Sequence, residues 1–131
     1  MGKQRIANTE MGEKVGRITP SIARKARIKS APIVIDKNHL KHIENEHKKE
    51  LLTLNISAYD YVKVIVNNFD QIRERPNSAV MLVKTNSIPP HDTCIVELHY
   101  DNSAACWQVK TAQPRRNIDN SKLLWNKKRG R

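Results

Sequence analysis

Residues 93–112 read TCIVELHYDNSAACWQVKTA, and their pattern decides the fold class. Apolar and polar residues alternate with the period of two that a half-buried strand requires. Cys94, Val96, Leu98 and Tyr100 fall on one face, and Ile95, Glu97 and His99 on the other. Asp101-Asn102-Ser103 supplies turn chemistry, after which residues 105–112 resume as a strand. There Trp107, Val109 and Thr111 share a face opposite Cys106, Gln108 and Lys110. Upstream, residues 79–85 are β-prone and residues 86–92, with Pro89-Pro90, read as a loop. Together these segments predict an antiparallel meander.

Before the meander the period changes to that of helices. Ser57 followed three residues later by Asp60 resembles a capping box. The helix it opens is predicted to run through Tyr61, Val62, Ile65, Val66, Phe69 and Ile72 and to end at Arg73, Arg75 and Pro76. Asp36 is a good N-cap for a second helix over residues 37–52, whose stripe holds Leu40, Ile43, His47 and Leu51. Ile33-Val34-Ile35, introduced by Pro32, reads as a short edge strand. Helices first and a sheet second make the class α+β, with N-terminal helices packed on a small, about four-stranded antiparallel sheet. Residues 1–30 read as a basic, flexible linker, in which a short helix over 21–28 capped by Ser21 has no core role. Residues 31–126 form the domain, with Leu123-Leu124-Trp125 as a last short strand, and 127–131 are a basic tail.

The 131 residues suffice for one domain with a modest core, since 38% are apolar. No apolar run is long enough to span a membrane, and the polar N-terminus carries no Sec-type export signal. The formal charge of +11 is uneven. Residues 1–31 hold eight bases and two acids, residues 32–109 eight and ten, and residues 110–131 eight and one. A near-neutral body between basic ends suits a polyanion, of which nucleic acid is the commonest. Solvated tails that only aid solubility are the alternative. Cys94 and Cys106 make no metal-ligand pattern and read as two buried thiols, with a disulfide across one hairpin as the alternative. A Gly-rich phosphate loop and a G-x-S-x-G elbow are both missing, which excludes kinase-type, Rossmann and α/β-hydrolase readings.

Three constellations could carry chemistry. The first is the histidine helix, with His39, His42 and His47; histidine is the natural acid or base near neutral pH. Its competitor is a hydrogen-bonded core histidine at position 47. The spacing is not H-E-x-x-H, and His39, His42 and Glu46 match no zinc site. The second is Glu97, His99 and Lys110 on the sheet face away from the core: a carboxylate base, a histidine acid and a cation. An ordinary solvated strand face explains the same residues. The third is Lys110-Thr111 running into Arg115-Arg116, a hydroxyl and cations that could hold a phosphate.

Taken in order, Ile35-Asp36-Lys37-Asn38-His39-Leu40-Lys41-His42-Ile43, His47, Ser57-Ala58-Tyr59-Asp60-Tyr61-Val62, Phe69-Asp70-Gln71-Ile72-Arg73, Val96-Glu97-Leu98, Trp107-Gln108-Val109-Lys110-Thr111-Ala112 and Leu123-Leu124-Trp125 resemble a known family. The pattern is similar to the C-terminal toxin-like domain of phage MuF head-morphogenesis proteins, in the barnase, EndoU, colicin D and RelE (BECR) group of nucleases. The resemblance implies a BECR-type ribonuclease fold and metal-independent cleavage of RNA, transfer RNA included by analogy, through the 2′-hydroxyl and without a cofactor. It places the family's paired histidines on His42 and His47, with Lys110 stabilising phosphate charge and Thr111 positioning the phosphate. Lys41, Arg115 and Arg116 are the candidates for backbone contacts. Glu97 and His99 stand as the rival pair. It further implies a toxin acting in the bacterial cytoplasm, delivered within a larger phage or secreted protein, and a cognate immunity protein. Two other readings keep the same fold: a non-catalytic RNA-binding module, and a phage-head interaction domain whose basic ends contact DNA.

Overall fold

The computed structural model describes residues 12–88, 91–115 and 121–127, with the side chains of residues 86–92 and 115 outside that description. Four helices and one sheet are formed in the order β1 (Glu13–Ile18), α1 (Pro20–Ala26), β2 (Ala31–Ile35), α2 (Lys37–Glu46), α3 (Lys48–Leu54), α4 (Ala58–Asn68), β3 (Gln71–Arg75), β4 (Ala79–Ile88), β5 (His91–Asp101), β6 (Cys106–Arg115) and β7 (Leu123–Asn126). A short 3-10 turn, Pro76–Ser78, joins β3 to β4.

The class is α+β, but the small four-stranded antiparallel sheet is overturned. The sheet has seven strands in the order β1-β2-β6-β5-β4-β3-β7, and it is mixed, because β2 pairs with β6 in parallel. The meander β4-β5-β6 stands at its centre as predicted, with longer strands; residues 89 and 90 of the expected loop lie outside the described residues. Both flanks gain strands from segments to which periodicity assigns another structure.

On one flank is β3. Periodicity predicts residues 71–72 as the end of a helix, because Ile72 continues the i, i+3 spacing from Phe69. The helix stops at Asn68 instead. Asp70 then accepts from the Thr85 backbone N–H at 3.2 Å and from its hydroxyl at 2.6 Å, which fixes the start of β3 against β4. Ile72 is still buried, now opposite Leu82. Burial is the same in either conformation, so the apolar spacing could not choose between them. The predicted final strand β7 pairs on the outer side of β3.

On the other flank, the expected linker is replaced from Glu13 onward by β1 and α1. Val15, Ile18, Ala23 and Ala26 are buried in the main core. Thr19, not Ser21, caps α1, accepting from the Ile22 backbone N–H at 3.4 Å. Gly16 explains part of the difference, since glycine suggests a linker in sequence. Here a Cβ on Gly16 would stand 2.3 Å from Val66 Cγ1, so the residue permits β1 to approach α4. β2 accordingly lies inside the sheet rather than at an edge. Its registered β6 partners begin at Ile33, so Pro32, with no N–H to donate, lies before that ladder starts.

The core fills the space between the helices and one sheet face. Tyr61, Val62, Ile65 and Val66 of α4 and Ile43 of α2 pack with Val80, Leu82, Val96, Leu98, Trp107, Val109 and Ala112. Ser57 caps α4 as predicted, its hydroxyl accepting from the Asp60 N–H at 3.1 Å. The predicted single helix over 37–52 is two helices. It breaks at His47, whose backbone (φ −124°, ψ 28°) leaves the helical region. Cys94 and Cys106 are free and buried; burial, then the nearby Asp101 carboxylate, pushes the Cys106 thiol up. Among the described residues no helix is long and apolar enough to cross a membrane.

Candidate active site

The site is built around an irregularity in the central hairpin. Along β5 and β6, Glu97 is opposite Thr111, but Leu98 is opposite Val109. Lys110 is therefore an extra residue, and the pair contains a β-bulge. The bulge shifts the alternation of β6 by one. Val109 and Ala112, three residues apart, are both fully buried, while Lys110 and Thr111 between them are only half-buried. The expected sharing of one face by Trp107, Val109 and Thr111 thus fails at Thr111. Thr111 instead lies in the cross-strand row Arg73, Met81, Glu97, Thr111, on the face away from the helices.

That open face carries the first histidine–carboxylate pair. Glu97 and His99 are two apart on β5, so they project together, and His99 Nε2 lies 2.9 Å from Glu97 Oε2. The other Glu97 oxygen is 3.8 Å from Arg75 Nε of β3. Glu97 is held between the two, and His99 keeps Nδ1 for another partner.

The second pair stands at the start of α2. The Asp36 carboxylate accepts from the His39 backbone N–H at 2.7 Å, as an N-cap does. The same oxygen is 2.8 Å from His39 Nδ1. Partial burial would push the Asp36 carboxyl up. The His39 N–H, the His39 ring and the charge of Lys110 together outweigh it and hold the group below the ordinary carboxylate range. An ionised Asp36 accepts only, which makes Nδ1 the protonated nitrogen of a neutral His39 and frees Nε2.

The histidines of the two pairs line one cavity. It encloses about 590 Å³ and is lined by Asp36, His39, His99, Gln108 and Lys110, with Tyr100 at its side. It forms where α2 packs against β6 at the bulge. The charged neighbour of Asp36 is thus the residue that the bulge displaces from the regular ladder.

The residues predicted from sequence are distributed unevenly. Lys110 lines this cavity, and Thr111 adjoins it in the chain. His42 and Lys41 are exposed on α2. His42 is three residues after His39, about 300° around the helix, so it lies one turn further along nearly the same side. His47 occupies the α2–α3 break, where its Nδ1 is 3.9 Å from Glu50 Oε2 and has no hydrogen-bond partner among the described residues. The Arg115 side chain and Arg116 lie outside the described residues. The rival pair Glu97 and His99 is brought together. Sequence reasoning misses the pairing of Asp36 with His39, because it gives Asp36 only the role of a cap. The available signal was the cap itself: a histidine three residues after an N-cap carboxylate sets its ring beside that carboxylate. Among the described residues no three His, Cys, Asp or Glu side chains are grouped to hold a metal ion.

Comparison with known proteins places this geometry in context. A family model described as phage-Barnase-EndoU-ColicinE5/D-RelE like nuclease3 matches residues 13–118. The match begins at β1, in agreement with the fold and not with a linker reaching residue 30. No curated protein and no solved structure shows a significant match to the chain. The match covers well over half of the sequence, and the chain belongs to this family of nucleases, whose substrate is nucleic acid.

Proposed function

We propose that this member of the phage-Barnase-EndoU-ColicinE5/D-RelE like nuclease family cleaves RNA by metal-independent acid–base chemistry in the cavity between α2 and the β5–β6 bulge. One observation carries the reading: two histidines, each hydrogen-bonded to its own carboxylate, line one cavity with a lysine. One free imidazole nitrogen takes the 2′-hydroxyl proton while that oxygen attacks phosphorus. The other imidazole, protonated, gives a proton to the departing 5′-oxygen, leaving a 2′,3′-cyclic phosphate. The carboxylates orient the rings and stabilise the imidazolium form. Lys110 offsets the charge that grows on the non-bridging oxygens, and Thr111 positions the phosphate.

A second assignment gives the acid–base work to His42 and His47 with Lys110 and Thr111. The packing of α2 on β6 beside the bulge supports it, since it brings the histidine helix to those two residues. Transfer RNA as substrate, contacts from Lys41, Arg115 and Arg116, a place in a phage MuF protein, action in the bacterial cytoplasm and a cognate immunity protein rest on the sequence resemblance alone.

The test is cleavage of a mixed RNA panel in EDTA by the wild type and by His39→Ala, His99→Ala, His42→Ala and His47→Ala. Fragments ending in cyclic phosphate, lost in His39→Ala and His99→Ala, are the expected result. Loss confined to His42→Ala and His47→Ala moves the pair along α2. Cleavage that appears only when magnesium is supplied overturns the metal-independent mechanism.

A further inference from the structure

A second, larger cavity adjoins the first. It encloses about 930 Å³ between the end of α1, the β3–β4 turn and β7. His99, Tyr100 and Asn102 line both cavities, so the two adjoin at the C-terminal end of β5. We propose that this second cavity is a nucleotide subsite that holds the RNA flank beside the scissile phosphate. The inference rests on the RNA-cleavage reading above.

Its lining has the chemistry of such a flank. Arg27, Lys29 and Lys122 bring cations to the rim against the single carboxylate of Glu74. Cations along a groove track phosphates. Tyr100 supplies the surface for a base. It is half-buried and meets the buried Trp107 edge-on, with ring centroids 5.1 Å apart and planes at 70°. Trp107 is itself anchored, its indole N–H donating to the Lys29 carbonyl at 2.9 Å. Tyr100 is therefore held in place and only partly covered. The Lys29 ammonium stands 5.7 Å from its ring centroid. A base stacked there displaces the ammonium toward the adjoining phosphate, and a single lysine then serves both groups. The volume falls within the range of nucleotide-sized sites.

The backbone around the cavity is consistent with a built site. Five described non-glycine residues adopt positive φ, and Arg27, Asn77 and Ser78 of these line this cavity. Consecutive left-handed residues at Asn77 and Ser78 are costly, and the surrounding strands hold them there. Next to a proposed catalytic cavity, such a turn fixes the wall of a binding groove.

The test compares a dinucleoside monophosphate with a tetranucleotide extended on either flank, using the wild type, Lys29→Ala/Lys122→Ala and Tyr100→Leu. The readout is the ratio of kcat/KM for the tetranucleotide to that for the dinucleotide. In parallel, binding of a fluorescein-labelled tetranucleotide carrying a 2′-deoxy sugar at the scissile position is followed by anisotropy against salt. Extension on one flank is expected to raise kcat/KM in the wild type. That gain should fall by roughly tenfold or more in each variant. In the double variant the salt dependence should become shallower, by about 0.7 in log–log slope for each phosphate that is no longer neutralised. A ratio unchanged in both variants overturns the subsite. If the wild type cleaves nothing but the variants weaken tetranucleotide binding, the cleavage reading falls and the subsite stands. If the wild type cleaves nothing and binding is equal in all three proteins, both fall.

Discussion

The two ends of α2 carry the same residue type in opposite settings. At the N-terminal end, His39 is locked to the capping Asp36, and a neighbouring strand brings Lys110 to the pair. At the C-terminal end, His47 sits where the helix breaks, its Nδ1 3.9 Å from a Glu50 carboxylate oxygen and without a hydrogen bond among the described residues. Between them Ile43, fully buried, pins the helix to the core. The difference teaches that a histidine becomes a candidate acid or base through its partners. In a helical projection His47 lies in the apolar stripe and His39 on its flank, and it is the flanking His39 that shares a cavity with residues of β5 and β6.

The sharpest way to break this contrast is kinetic. His39→Ala and His99→Ala should each lower RNA cleavage by roughly 10²- to 10⁴-fold, the usual contribution of a positioned acid or base. A loss of that size in His47→Ala with His39→Ala unaffected would invert the comparison. Next in size is the hinge between the ends. Ile43→Ala leaves a cavity under α2 and should cost about 2–5 kcal/mol, read from urea unfolding midpoints. A smaller value would mean that α2 is positioned by its caps rather than by the core.

Asp36→Asn separates two roles at the N-terminal end. Asparagine still caps a helix, so stability near pH 7 should change by no more than about 1 kcal/mol. Activity should fall by about tenfold or more, because an amide does not hold the His39 ring in the tautomer a carboxylate selects. The variant also has a pH signature. The Asp36 carboxyl lies below its ordinary value of 3.8, so its contribution to stability is complete above that value. It is lost as pH falls through the native-state value. Acid unfolding of Asp36→Asn should therefore be less steep below about pH 4 than that of the wild type. The smallest effect is expected at the other end. His47→Ala removes a largely buried ring whose Nδ1 has no hydrogen-bond partner among the described residues, and stability should shift by about 1 kcal/mol or less. A larger loss would show the helix break to depend on that ring.

Much of this was legible in the residues. Alternation along 93–112 marks the central hairpin, Ser57 and Asp36 mark two helix starts, and the i, i+3, i+4 spacing marks the buried face of α4. Each signal is local, because capping and amphipathic periodicity act within one or two turns of chain. The basic ends and the histidine helix pointed to nucleic acid, and the family match agrees.

Other features needed the folded chain. Gly16 reads as a linker residue until Val66 is seen against it, and Ile72 suits a helix as well as the strand that Asp70 and Thr85 tie down. The bulge at Lys110 leaves no mark in its own sequence, since two strands must align before one can hold an extra residue. That bulge reverses the facing of Thr111 and sets Lys110 beside Asp36. Short-range propensities thus determined which elements form and which residue types were available for chemistry. Long-range pairing across 36, 39, 97, 99 and 110 decided which of them meet, because the distances within the cavity are set by strand register and helix docking.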